Sequence, residues 1–384
     1  MNLPAGSPQS LFVMTVCQVG AEPTLKKEVS LLDPKLKFAF SRPGFVTFKS
    51  THESPLGPEF KLASVFARAY GLSLGKFESK EKDETELIAQ IFVKAREIKL
   101  AAKLEKMRLH FWERDLHVPG EEPLGYVPGE KARKILARLR SAPEFSELFF
   151  PDEMAKVGDF VFDVTIVEDH QWWFGAHLHS GGHSPYSGGR PDILLPTESP
   201  SRAYLKLEEA ILNFQAPVRR GDIAVEIGSA PGGASYALLQ RGVSVVGIDP
   251  AEMSETVLKF KSASGARFEH IKEPVNRVPR EILPAKVEWL LLDMNVEPRI
   301  TVFAVDRLAT RMIDSLMGIF LTIKLNRWEI ADEIPGMLEH VKVMGMVRVR
   351  VAQLSHHRQE LLIYGLTRRG VQRFNEDNQS KGKP

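Results

Sequence analysis

Between residues 222 and 250 the chain reads DIAVEIGSAPGGASYALLQRGVSVVGIDP, an apolar run, a turn of small residues and a second apolar run that stops at an acid. Glycine has no Cβ and tolerates positive φ, so Gly228, Gly232 and Gly233 suit a turn that something approaches closely. The spacing is neither G-x-G-x-x-G nor the loop ending in Lys-Ser/Thr, which argues against ordinary dinucleotides and nucleoside triphosphates. Asp249 closes the second run, where a carboxylate can accept the hydroxyls of a ribose. A glycine turn, a ribose-binding acid and no phosphate-binding element fit an adenosine ligand without phosphates, of which S-adenosylmethionine is the common one. Glu226, Gly228, Ser229, Ala230, Pro231, Gly232, Gly233 and Asp249, with Asp293 further on, are the candidate cofactor contacts.

Four charged residues form a second set. Lys206 lies in SRAYLKLEEA, Asp293 ends VEWLLLDM, Lys324 ends GIFLTIKL, and Glu360 starts the last strand in HHRQELLIYG. Charge taken out of water must be paired, so two structural ion pairs would account for all four. Yet Asp293 and Lys324 directly follow apolar strands at the ligand-binding end, where charge is more often functional.

The elements that must position these residues follow from hydrophobic period. DIAVEI, VSVVGI, ARFEHI, VEWLLLD and GIFLTIKL are short apolar runs, mostly separated by helix-like stretches, the pattern of a parallel sheet covered on both faces. GMVRVRVAQL and QELLIYGLTRR then read as an antiparallel hairpin at its edge. Ligands of such sheets bind beyond the carboxyl ends of the strands, where the glycine turn falls. Upstream, LFVMTVC, GFVTFKS, MRLHFWE, DFVFDVTIVED and QWWFGAHLHS read as strands, with helices near 22–32, 84–104 and 130–141. The expected domains are a small α+β unit over 1–80, a second over 81–195 after the charged connector KFESKEKDETE, and an α/β domain over 196–384. The stretch SGGHSPYSGGRPDILLPTESPSR marks the linker before the last of these.

The chain has 384 residues and a net charge of +2, so it is no histone-like polycation. EKARKILARLR and the stretch from Val341 onward are nevertheless basic, which makes an anionic polymer a plausible partner. No apolar run approaches the ~20 residues of a membrane span, and a cytoplasmic protein is expected. The single cysteine, Cys17, excludes an internal disulfide and a cysteine-based zinc cage. His177, His179 and His183 invite a metal reading. With no cysteine or carboxylate at ligand spacing, they are read as strand caps or contacts to RNA phosphate, and no metal is expected. Trp172 and Trp173 are read as core.

The order Lys, Asp, Lys, Glu around a GxxPGG-type loop resembles the FtsJ-like ribose 2′-O-methyltransferases. PSRAYLKLEEA, GSAPGGASY, LLDMNVEP, IKLN and HHRQELLIYG resemble more specifically the bacterial RlmM type, which methylates a cytidine of 23S ribosomal RNA. CQVGAEPTLKKEVS, GFVTF and WWFGAHLHSGGHSPYSGGRP resemble that family's N-terminal region. The resemblance implies an α/β fold, a Rossmann-like S-adenosylmethionine-dependent methyltransferase domain preceded by an α+β THUMP-like RNA-binding region, with RNA as partner. The sequence departs from the family where Glu226 stands for the usual Asp, Ala234 for a Trp and Pro274 for an acid; Glu273 is the candidate replacement for that acid.

A ribose hydroxyl is a poor nucleophile, and its methylation needs a base within hydrogen-bond reach. Lys324 is the expected base, its pKa lowered by desolvation and by the neighbouring Lys206. Lys206 and Asp293 would orient it and the hydroxyl, and Glu360 would hold Lys206 or the substrate. Methylation of pyrimidine C5 would need a cysteine nucleophile, absent after Cys17. LDMNVEP also lacks the Asn/Asp-Pro-Pro-aromatic loop typical of amino methylation. Open alternatives are a silent RNA-binding scaffold, an enzyme acting on tRNA, and a small-molecule O-methyltransferase, which the upstream half argues against. Oligomeric state and the modified nucleotide are not legible.

Overall fold

A computed structural model of the chain describes residues 6–124, 126–294, 306–309 and 312–381. It divides into two compact units, Met1–Pro191 and Asp192–Pro384, each built on a seven-stranded sheet.

In the first unit the strands are β1 (Phe12–Val16), β2 (Leu36–Arg42), β3 (Phe45–Ser50), β4 (Ala69–Glu78), β5 (Arg108–Glu113), β6 (Phe160–Glu168) and β7 (Gln171–Leu178). Their order is β2-β3-β1-β4-β7-β6-β5, with only β5 and β6 parallel. The sheet runs on across residue 80, because β4 pairs with β7. Helices α1 (Glu22–Leu32), α2 (Glu84–Ala101) and α3 (Glu130–Ser141) fall where the 3.6-residue period puts them. Asp83 in the charged connector caps α2, its carboxylate accepting the Thr85 N–H at 2.8 Å. Trp172 is fully buried and Trp173 nearly so, the latter stacked on Phe40.

The basic face of α3 is largely neutralised at home. Lys131 pairs with Asp169, Lys134 with Glu130, Arg138 with Glu84 and Arg140 with Glu153. Reading EKARKILARLR as a free cationic surface misses these partners, most of which are distant in sequence.

The second unit contains α5 (Ala203–Phe214), named after the short α4 (Pro143–Leu148), then β8 (Ile223–Ile227), α6 (Gly233–Gln240), β9 (Ser244–Ile248), β10 (Phe268–Ile271), β11 (Trp289–Leu292), β12 (Gly318–Lys324), β13 (Arg348–Ala352) and β14 (Glu360–Leu366). The sheet order is β10-β9-β8-β11-β12-β14-β13. The first five strands are parallel. β14 runs antiparallel to both its neighbours, so the expected hairpin is present with its second strand inserted next to β12. This is the Rossmann-like α/β arrangement expected of the domain. Trp289, Phe320, Tyr364 and Phe214 fill the core between sheet and helices. Asp222, at the foot of β8, accepts from the Trp289 indole and pairs with Arg373, tying the helix Arg368–Lys381 to the sheet. No helix among the described residues is long and apolar enough to cross a membrane.

Candidate active site

Sheet direction brings the four charged residues together. β11 and β12 are parallel, so Asp293, just past β11, and Lys324, at the end of β12, emerge on one rim. β14 runs the opposite way, and its first residue, Glu360, lies directly across from Lys324 in the register. Lys206 reaches the same point from the first turn of α5. The result is a closed ring of alternating charge. Lys324 Nζ is 2.7 Å from Asp293 Oδ1 and 2.5 Å from Glu360 Oε2, while Lys206 Nζ is 3.5 Å from Asp293 Oδ2 and pairs with Glu360 Oε1.

The ring changes the expected electrostatics. Burial works to lower the Lys324 pKa, but Asp293 and Glu360 outweigh it and hold the ammonium above the ordinary lysine value. The expected depression by Lys206 is therefore not found, because carboxylates stand between the two ammonium groups. Glu360 is held down to about 2: burial opposes ionisation, but His357, Lys206 and Lys324 overcome it.

The glycine turn forms a cavity of about 280 Å³ against this ring, lined by Ser201, Ala203, Glu226, Gly228, Ser229, Ala230, Gly233, Asp293 and Lys324. At Gly228, with φ +76°, a Cβ would lie 2.5 Å from the Asp293 carbonyl, so the turn and the acid can approach only with glycine there. Gly232 is buried outside the cavity lining, where a Cβ would meet Val257 at 2.6 Å. Pro231 is exposed, and its carbonyl accepts the Ser254 N–H. Asp249 braces the turn, accepting Ala230 N–H at 3.0 Å and Ala251 N–H at 2.8 Å. Glu273 is exposed beyond β10, away from the cavity lining. Glu226 is buried at the end of β8 and accepts the Ser235 hydroxyl at 2.5 Å. Burial first, then Asp293 and Asp249, pushes its pKa up to about 8.

His357 was not singled out from the sequence, although HHRQE contains it. It is fully buried, its Nε2 lacks a hydrogen-bond partner, and it lines a smaller cavity of about 40 Å³ with Lys206 and Asp293. Burial pulls its pKa down to about 4. The loop carrying it is hooked by Glu209 of α5, which accepts the Ser355 and His356 backbone N–H groups and the His356 ring. The residues after Met294 in LLDMNVEP lie outside the described residues.

Residues 200–364 match the model of the FtsJ-like methyltransferase family. Ribosomal RNA large subunit methyltransferase M of Azoarcus sp. (strain BH72) is 30% identical over 221 residues, covering 55% of this chain and 58% of its own length. The protein of the same name from Actinobacillus succinogenes is 28% identical over 205 residues, covering 50% and 53%, and that from Shewanella pealeana 28% over 247 residues, covering 60% and 64%. The matches span 53% to 64% of these last two relatives' own length. The crystal structure of TrmN from Thermus thermophilus aligns with 92% of this chain and 99% of its own at 13% identity, with a TM-score of 0.32, a likeness too slight to decide topology.

Proposed function

We propose that the chain methylates a ribose 2′-hydroxyl of RNA, a cytidine of 23S ribosomal RNA by its kinship, with S-adenosylmethionine as donor. One observation carries this reading: of the ring of four charges, Lys324 and Asp293 line the cavity of the glycine turn. A hydroxyl placed there meets a lysine and a carboxylate at the mouth of the proposed nucleoside site. Glu226, Gly228, Ser229, Ala230 and Gly233 would hold the cofactor, which supplies an electrophilic methyl group and a sulfonium charge. The missing Cβ at Gly228 lets a ligand approach this wall closely, and the buried Glu226 would accept hydrogen bonds from a cationic ligand group that expels its proton.

Lys324 would take the hydroxyl proton. In the resting ring it is an ammonium, so it must first lose a proton, and added positive charge beside it favours that loss. Asp293 would orient the hydroxyl and Lys206, with Glu360, would keep the ring's geometry. The N-terminal unit, with its THUMP-like resemblance, would bind RNA.

The test is incubation of the purified chain with isotopically labelled S-adenosylmethionine and either 23S ribosomal RNA or tRNA, followed by nucleoside mass spectrometry. A methyl on the ribose oxygen of a cytidine in ribosomal RNA is expected. Label on a base, or on tRNA alone, would reject the reading; cofactor binding without any transfer would favour a silent scaffold.

A further inference from the structure

The N-terminal unit gathers a second set of chemically active groups that the methyl-transfer reading leaves unused. β5, β6 and β7 lie side by side, and their pairing puts His110 opposite Asp163 and Val161 opposite His177. His179 follows β7 immediately, and the turn Ser180-Gly181-Gly182 brings His183 back onto the same face. His110, Asp163, His177, His179 and His183 are all buried. Metal-ligating atoms of His177, His179 and His183 lie within 4.8 Å of one another, as do those of His110, Asp163 and His177. The rings of His177 and His183 stand 4.4 Å apart.

The hydrogen bonds select which ring atoms are free. Asp163 Oδ2 is 2.6 Å from His177 Nδ1, and an ionised carboxylate only accepts. His177 Nδ1 therefore carries the hydrogen, leaving the Nε2 lone pair, which is buried and has no hydrogen-bond partner. His183 differs: its Nδ1 accepts the Ser180 N–H at 3.3 Å and lies 3.1 Å from the Ser180 hydroxyl, while the buried Nε2 has no hydrogen-bond partner; coordination at Nε2 would shift the ring hydrogen to Nδ1, where that hydroxyl can accept it. Two unsatisfied imidazole nitrogens in one buried cluster are costly unless something fills them. Asp163 lies against His110 and His177, with no lysine or arginine paired to it among the described residues. A histidine whose outer nitrogen donates to a carboxylate while the inner one points at a shared centre is the second-shell arrangement of a metal site. The adjoining cavity is about 10 Å³ and touches His110, Asp163, His177 and His183, room for one ion or water and for no organic molecule.

We infer that His177, His179 and His183 bind one divalent transition ion of the zinc class, with Asp163 orienting His177 and His110 closing the far side. Imidazole donors without thiolate suit zinc, cobalt, nickel or copper and disfavour magnesium and calcium. The ion would pin the end of β7 to the turn that follows it, a structural role distinct from the proposed methyl transfer.

The full chain, purified with its affinity tag removed, is stripped with a chelator and titrated with Co²⁺ and Zn²⁺. One equivalent bound per chain is expected, with visible cobalt absorption that Zn²⁺ abolishes, and a thermal midpoint that falls on chelation and recovers with Zn²⁺. His177→Gln and His183→Asn should remove the cobalt band, and His340→Gln, on an exposed helix of the other unit, should keep it. Should the cluster variants not fold, X-ray absorption of the zinc-loaded parent takes their place and must show imidazole nitrogen ligands. A folded parent that binds no stoichiometric ion and shows no change in midpoint with Zn²⁺ would overturn the site, as would a cobalt band that persists in both cluster variants.

Discussion

At the scale of single residues, the ring of Lys206, Asp293, Lys324 and Glu360 turns the proposed chemistry into measurable behaviour. Lys324→Ala should leave cofactor and RNA binding near the parent's while lowering the single-turnover rate by roughly 100-fold to 10,000-fold, the usual worth of a positioned base. Parent-like turnover would remove Lys324 from the mechanism. Because its two carboxylate neighbours raise its pKa, the active, deprotonated fraction grows with pH. The chemical rate should then climb about tenfold per pH unit from neutrality upward, and a rate flat between pH 7 and 9 would show that no such lysine titrates. Glu226 gives an independent signal. With its pKa pushed up to about 8 by burial, it is mostly protonated at pH 7, and a cationic ligand group beside it would expel that proton. Calorimetry of S-adenosylmethionine binding in buffers of different ionisation enthalpy should show proton release that Glu226→Gln abolishes; equal release in both proteins would take Glu226 out of the pocket.

At the scale of elements, α5 and the loop between β13 and β14 act through Glu209. Burial alone would raise its pKa, but His356, with Ser355 and His357, brings it down to about 2. A carboxyl depressed in the fold adds stability that is present above its unfolded value of about 4.5 and is lost as pH falls toward 2. The shift corresponds to roughly 3 kcal/mol. Glu209→Gln should unfold more easily at pH 7, with little further loss from that carboxyl between pH 4.5 and 2.5; denaturant titrations at the two pH values compare it with the parent. The strands of the second unit were legible because each is an apolar run stopped by a glycine or a charge. β2 and β4 were not, since LKFAFSR shows mixed burial and AYGLSLGKFE carries two glycines, one at a register shift against β7. The tetrad's membership was legible from strand ends, but its charge balance was not, because that depends on β14 lying antiparallel beside β12. Likewise, the carboxylate beside His177 was invisible at ligand spacing, as Asp163 arrives from the neighbouring strand.

At the scale of the whole molecule, the division between residues 191 and 192 leaves the complete ring and the glycine turn in one unit with its own core. A fragment spanning 192–384 should fold and bind S-adenosylmethionine like the full chain, yet bind RNA more weakly and with a shallower salt dependence, since fewer phosphate contacts release fewer counterions. Filter binding across a salt series measures this, and unchanged RNA affinity would take the N-terminal unit out of recognition. The insertion of β14 between β12 and β13 also sets the order of events during synthesis. A nascent chain that has emerged only as far as β13 still lacks Glu360, so Lys206 and Lys324 face Asp293 alone and β12 shows a bare edge open to pairing with other chains. The proposed activity would thus be withheld until β14 is translated, and a premature stop between residues 325 and 359 would yield an aggregation-prone product rather than a slow enzyme.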